Sequence, residues 1–176
     1  MIVDARMKLL KEDGEFKYYV FKPTFSRLYF HGSENDASHR KSFLHRLHMR
    51  LYFIMGGYKV LYLEKDDQIV GYLVYKRAGK SIVQNTTNKD AFTVFIYTFP
   101  QYRNLGMASR LANCYIQFCC SSCKYIYKTI AKTNLSSIKV AEKLGFKRIG
   151  NAVKTRFLHT VKYNVQGDWY LYEYHK

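Results

Sequence analysis

Apolar positions change their period several times along the chain, and each change marks an element. Between Phe16 and Phe30 aromatic and β-branched residues crowd together, interrupted at Pro23. That composition predicts a strand. From Ser33 to about Met55, Leu44, Leu47, Leu51 and Ile54 fall on one face at helical spacing, which predicts a long helix with Ser33 as its cap. Gly56-Gly57 stops it. The runs YKVLYLEK and QIVGYLVYK then meet at Asp66-Asp67, the pattern of a hairpin. Residues 81–90 are polar and read as a loop, and Ala91 to Phe99 is a further strand closed by Pro100.

Beyond it the period is again helical from Asn104 to about Ser121, through Ala108, Leu111, Ala112, Tyr115 and Cys119. Lys124 to Ala131 reads as strand and Ser136 to Leu144 as a short helix, ended by Gly145 as a C-cap glycine. Phe146 onward returns to strand. Trp169-Tyr170-Leu171-Tyr172-Glu173-Tyr174 reads as a last strand with one packed face, its outward rings free to stack on a sugar or a base. Strands alternating with helices in this order predict a single α/β domain over residues 1–176, with helices packed on a mixed sheet.

Composition supports a folded domain and adds one strong feature. Hydrophobic residues make up 48% of the 176, and 17 Tyr with 12 Phe suit half-buried strands. Lys and Arg number 29 against 13 Asp and Glu, a formal charge of +16. Such a field favours anionic partners, although many of these charges serve only to solvate the surface. The opening MIVDARMKLLKEDGEF is too charged for a signal peptide, and no run reaches the roughly 18 apolar residues of a membrane span.

Cys114, Cys119, Cys120 and Cys123 are crowded together, not spread as a disulfide framework would be. A reducing, cytoplasmic setting follows. Cys120 and Cys123 have metal-like spacing, but a structural zinc site needs four ligands and no second pair exists. No metal is therefore expected; the thiols read as partly buried at a helix end. His45 and His48, among Arg40, Lys41, Arg46 and Arg50, read as a basic helix face: a solvated surface, or a wall beside a bound acceptor.

The stretch FIYTFPQYRNLGMASRL, residues 95–111, carries the chemistry. A strand ends at Pro100, a turn follows, and Arg103-Asn104-Leu105-Gly106-Met107-Ala108 opens a helix. Unpaired amides and the positive dipole end at a helix start suit a pyrophosphate. Gly106 lets the backbone approach phosphates closely, and Ala108 is the next smallest choice. As purely structural features, Gly106 is a helix-entry glycine, Met107, Leu111 and Tyr115 are core, and Asn134 is a helix cap.

This segment resembles the acetyl-CoA signature of the GNAT superfamily of N-acetyltransferases: Arg or Gln, two residues, Gly, one residue, then Gly or Ala. Three further agreements accompany it. Ile96, Thr98 and Pro100 alternate into the motif as in that family. NLSSIKVAEKLGF, from Asn134 to Phe146, resembles its second cofactor segment, and the hairpin with Ile69-Val70-Gly71 resembles its central one. The likeness is specific over roughly 92–150 and loose in the first part of the chain.

The resemblance implies a mixed sheet of about six or seven strands with helices on both faces. It implies direct transfer of acetyl from acetyl-CoA to an amine in one ternary complex. On it the Ile96-Tyr97-Thr98 backbone borders the cofactor: Thr98 would hold the pantetheine, and the Ile96 amide would face the thioester carbonyl. Such an amide is worth about 3 kcal/mol of barrier. The amides from Arg103 through Asn104, Leu105, Gly106, Met107 and Ala108 to Ser109 would hold the pyrophosphate, with Asn134 and Ser137 on the second segment.

Many relatives carry a proton-donating Tyr where this chain has Ala141. Ser137 is the substitute the resemblance offers; it reads equally as a small residue that fits the cofactor. No acidic residue lies on the motif strand to act as base. Deprotonating a lysine ammonium at neutral pH costs about 4.6 kcal/mol, against roughly 1 kcal/mol for an α-amine. This favours a low-pKa acceptor, such as a nucleotide-linked amino sugar or a protein N-terminus, with the chain a monomer or homodimer. The alternatives are a basic nucleic-acid or ribosome-binding module and a degenerate family member that only binds coenzyme A.

Overall fold

The computed structural model describes residues 7–24, 57–80, 86–87, 89–155 and 160–176, with single positions at 47, 50, 51, 53 and 54. Those single positions are helical, as the spacing predicts. Ser33, His45, His48 and most of the 81–90 loop lie outside the described residues.

The first strands are β1 (Met7–Asp13), β2 (Phe16–Phe21), β3 (Lys59–Lys65), β4 (Gln68–Arg77) and β5 (Ala91–Thr98). Then follow helix α1 (Met107–Cys114), β6 (Tyr125–Ala131), helix α2 (Leu135–Lys143), β7 (Lys147–Lys154), β8 (Val161–Tyr163) and β9 (Trp169–His175). Among the described residues they form one nine-stranded sheet in the order β1-β2-β3-β4-β5-β6-β9-β7-β8. Only β5 and β6 run parallel; every other neighbouring pair is antiparallel.

The sheet is wider than the six or seven strands expected, because β1 and β8 extend its edges. β1 lies in the charged opening segment, where Lys8, Leu9, Glu12 and Asp13 are exposed. Pairing to β2, not an apolar pattern, makes it a strand. The β3–β4 turn is at Asp66-Asp67 as predicted, both left-handed with φ of 50° and 56°, the geometry that matches the twist of a two-residue hairpin.

Helices α1 and α2 pack on one face. Leu61, Leu63 and Leu73 there meet Leu111 of α1 and Ala141 of α2. Gly71 makes the contact close. A Cβ at this position would lie 2.7 Å from the Tyr97 carbonyl oxygen and 3.2 Å from a Leu111 methyl, so no other residue fits without displacing α1 or β5. The opposite face holds a second cluster with Val60, Tyr62, Tyr72, Phe92 and Leu171.

The strand at the C-terminus departs from its expected one-sided packing. Leu171 and Tyr172 point to opposite faces and are both fully buried, because β9 lies between β6 and β7 with core on either side. No helix among the described residues is long and apolar enough to cross a membrane.

Candidate functional site

The parallel pair β5 and β6 is joined only from Ala91↔Ile126 to Thr93↔Lys128. Asp90 secures the joined end. One carboxylate oxygen accepts from the Tyr125 amide at 3.2 Å, and the other from the Thr87 amide and hydroxyl at 2.9 Å each. Past Thr93 the ladder to β4 shifts register between Val74 and Tyr75. The extra residue on β5 bends it away from β6, and the two strands part into a V.

The register of β5 decides what faces the opening. The Phe99 amide donates to the Val70 carbonyl at 3.1 Å. Antiparallel pairs alternate between bonded and non-bonded, so Tyr97 and Phe95 exchange hydrogen bonds with β4 opposite Tyr72 and Val74. The backbone amides of Ile96 and Thr98 are thereby turned away from β4 and toward the cleft. Among the described residues they have no strand partner, because β6 pairs with β5 only as far as Thr93.

A cavity of about 530 Å³ fills the opening. Its walls include Ile96, Met107 and Ile130 from the helix-bearing side and Val94 and Trp169 from the other, so it passes through the sheet. At the outer end of β5 the chain makes a short 3-10 turn at Pro100–Tyr102. The Arg103 side chain ties it back: Nε donates to the Thr98 carbonyl at 3.3 Å, and the guanidinium lies 5.9 Å from the Tyr97 ring centroid.

Asn104 and Gly106 are both left-handed, with φ of 62° and 78°. The helix predicted from Asn104 therefore starts later, at Met107, and gives way after Cys114 to a π turn at Tyr115–Cys119. Arg110 makes the first helical backbone bond, to Gly106. The amides from Asn104 to Ser109 have no backbone acceptor among the described residues, and α1 aims its positive end at the cavity. A Cβ on Gly106 would meet nothing within 4 Å. The glycine is thus required for its φ, and the space beside it is open to a ligand.

Of the residues predicted to bind, Ile96, Tyr97, Thr98, Arg103, Asn104, Gly106, Met107, Ala108 and Ser109 line this cavity, joined by Asn134 and Ser137. Leu105 does not; its side chain is exposed, leaving only its amide to contribute. Asn134 caps α2, its side-chain oxygen accepting from the Ser137 amide at 3.1 Å and the Ser136 hydroxyl at 3.0 Å. Its amide NH₂ and the Ser137 hydroxyl have no partner among the described residues. Ala141 is fully buried in the core and does not reach the cavity. Cys114 and Cys120 are buried, and burial pushes the Cys114 thiol up to about 12.

Sequence reasoning missed Lys128, Thr129 and Lys154, all of which line the cavity. The Thr129 hydroxyl oxygen is buried without a hydrogen-bond partner. Lys154 lies 5.2 Å from the Trp169 ring centroid, and burial lowers its pKa. Lys128 is only 6% exposed, and burial lowers its pKa to about 8. The available signal was a lysine on the apolar row Ile126, Lys128, Ile130.

The sequence matches a model of the acetyltransferase (GNAT) family over residues 20–146. No curated protein matches it. Several solved structures share the fold. PH1933 from Pyrococcus horikoshii OT3 has a TM-score of 0.53 at 14% identity, over 79% of this chain and 82% of that one. A protein assigned as a streptothricin acetyltransferase from Bacillus anthracis, in complex with acetyl coenzyme A, has 0.51 at 21% identity, over 69% and 64%. One assigned to the GNAT family from Desulfovibrio desulfuricans has 0.50 at 16%, over 75% and 76%.

Proposed function

The chain belongs to the acetyltransferase (GNAT) family, and from that premise we propose that it transfers acetyl from acetyl-CoA to a primary amine by direct transfer. The observation that carries this reading is the pair of cleft-facing amides at Ile96 and Thr98, followed after the 3-10 turn by the free amides from Asn104 to Ser109. A thioester-bearing pantetheine chain ending in a pyrophosphate needs such a row of donors. Open space beside Gly106 and the partnerless Thr129 hydroxyl also fit a polar, elongated group.

In this reading the amides from Asn104 to Ser109, together with the α1 dipole, hold the pyrophosphate; the Arg103 amide, expected to join them, instead donates to the Pro100 carbonyl at 3.2 Å. Arg103 already engages the Thr98 carbonyl, which leaves the Thr98 amide for the pantetheine. The Ile96 amide faces the position where negative charge grows on the acetyl oxygen; a preorganised donor of this kind is worth about 3 kcal/mol. Asn134 offers its free NH₂, and Ser137 its hydroxyl, at the rim. Bound acetyl-CoA supplies an activated acyl group and a thiolate leaving group.

For the acceptor we propose a low-pKa amine on an anionic molecule, such as a nucleotide-linked amino sugar or a protein N-terminus. Lys154 and Trp169 support this: they offer a cation and an aromatic surface at the wall remote from α1.

Calorimetry with acetyl-CoA, followed by an acceptor screen reading coenzyme A release, tests both levels. One-site binding and a preference for anionic low-pKa amines is the expected result. Absence of binding would overturn the cofactor assignment; a strong preference for lysine side chains would overturn the acceptor class alone.

A further inference from the structure

Lys128 interrupts an otherwise apolar row on β6, between the buried Ile126 and Ile130. It belongs to the last residue pair before β5 and β6 separate, so it sits at the apex of the V. Lys128 is one of the residues lining the cavity, with Ile96, Ser137 and Val140. Nζ lies 5.2 Å from the Phe146 ring centroid. Among the described residues no carboxylate pairs with this ammonium and no hydrogen-bond acceptor engages it.

The surroundings do not explain a charge here. On the same face its strand neighbours are Thr93 on β5 and Tyr172 on β9. The Tyr172 hydroxyl is directed to Glu142 on α2, donating at 3.2 Å. Burial alone accounts for the lowered pKa of about 8. A buried cation with an aromatic face but no anion or hydrogen-bond acceptor is costly, and an apolar residue of similar length would fill the row at lower cost. A group kept at such expense, on a residue that lines a cavity, is a candidate for chemistry. Meanwhile α2 offers no hydroxyl at Ala141.

We propose that the Lys128 ammonium serves the leaving thiolate of coenzyme A, donating a proton to its sulfur as the acetyl group moves to the acceptor amine. The proposal rests on the acetyltransferase reading above. In the step, the amine nitrogen forms the new C–N bond while the thioester C–S bond breaks and its electron pair goes to sulfur. Sulfur takes the proton from Nζ. Lys128 is left as a neutral amine, and the proton released from the acceptor nitrogen to solvent is balanced by one that recharges it. The net products are an amide and coenzyme A thiol.

The test needs no acceptor. Coenzyme A in its free thiol form is bound to the protein and to Lys128→Met and Lys128→Arg variants. The thiolate is then followed by difference ultraviolet absorbance against pH, with protein-only titrations subtracted. The expected result in the parent protein is a bound thiol that ionises at least about one unit below an ordinary thiol, near 8.5. Lys128→Met abolishes that lowering, while its melting temperature is unchanged or higher. Lys128→Arg, still cationic, keeps the lowering.

Identical thiol titrations in the parent and Lys128→Met would overturn the proposal. So would mass-spectrometric detection of stoichiometric acetyl-Lys128 after incubation with acetyl-CoA, since an amide cannot donate this proton. Failure of the parent to bind coenzyme A at all would instead remove the acetyltransferase reading on which the proposal stands.

Discussion

Replacing Gly106 by Asp and, separately, by Ala divides the pyrophosphate argument into its two physical parts. The residue has φ of 78°, and a Cβ there meets nothing within 4 Å. Steric overlap in the free protein is therefore absent, and backbone strain is the only conformational cost. For an L residue in this region that is about 1–2 kcal/mol, with Asp tolerating it better than Ala. In a domain of this size the Ala variant should melt about 2–4 °C lower per kcal/mol, and the Asp variant no lower than the Ala variant.

Binding should rank the other way. A carboxylate roughly 6 Å from a phosphate charge, at an effective dielectric near 20, is repelled by about 3 kcal/mol. That is on the order of a hundredfold in dissociation constant. Ala carries no charge and should weaken acetyl-CoA by less than about tenfold. The Asp penalty should also shrink as salt rises, because the site is open and the screening length falls below about 8 Å. Calorimetric titration of all three proteins at two ionic strengths reads these quantities. Equal affinity in all three, or an Asp penalty indifferent to salt, would refute a phosphate beside Gly106.

Two further predictions concern the frame. Gly71→Ala places a methyl 2.7 Å from the Tyr97 carbonyl oxygen, and neither that backbone nor α1 can yield freely. A loss of about 1–3 kcal/mol should lower the melting temperature by roughly 5 °C, and a melt matching the parent's would show that α1 is less tightly seated. The second uses pH. Native Lys128 loses its proton near 8, whereas an unfolded lysine keeps it to about 10.4. Between these values the unfolded chain binds the extra proton, so the parent gains stability with rising pH relative to Lys128→Met, by up to about 1.4 kcal/mol per unit. The advantage of the Met variant is thus greatest at neutral pH and should close as pH rises from 8 to 10 in paired thermal melts. A constant gap would mean that the ammonium is not charged and buried in the native state.

Local rules carried much of this architecture. Asp66-Asp67 announced its hairpin through turn chemistry, Gly145 ended α2 with φ of 86°, and the spacing of Arg103, Gly106 and Ala108 placed the loop beside the cavity. What the sequence concealed depends on tertiary context. β1 has too few apolar residues to be seen, and becomes a strand only because β2 offers it an edge. The start of α1 was set early because Asn104 is compatible with a helix until its φ of 62° is known. Lys128 was invisible for a different reason: a lysine in a strand ordinarily faces water, and only the sheet order shows both sides of β6 covered.

The surplus of positive charge and the site answer different needs. The groups that meet the proposed pyrophosphate are backbone amides, which give geometry and short-range stabilisation without contributing to the formal +16. The lysines that line the cavity, Lys128 and Lys154, are among the most buried of the cations and have lowered pKa values, so they contribute little to the far field. That field arises from the exposed remainder. It acts on how fast anionic molecules arrive and is weakened by salt, whereas the contacts that decide which atoms meet are set by the register of β5 and the left-handed turn at Gly106. On the proposed function, a protein arranged in this way would draw in a polyanionic donor without holding it through lysine side chains, leaving the two lysines at the cavity for the proposed proton transfer and acceptor.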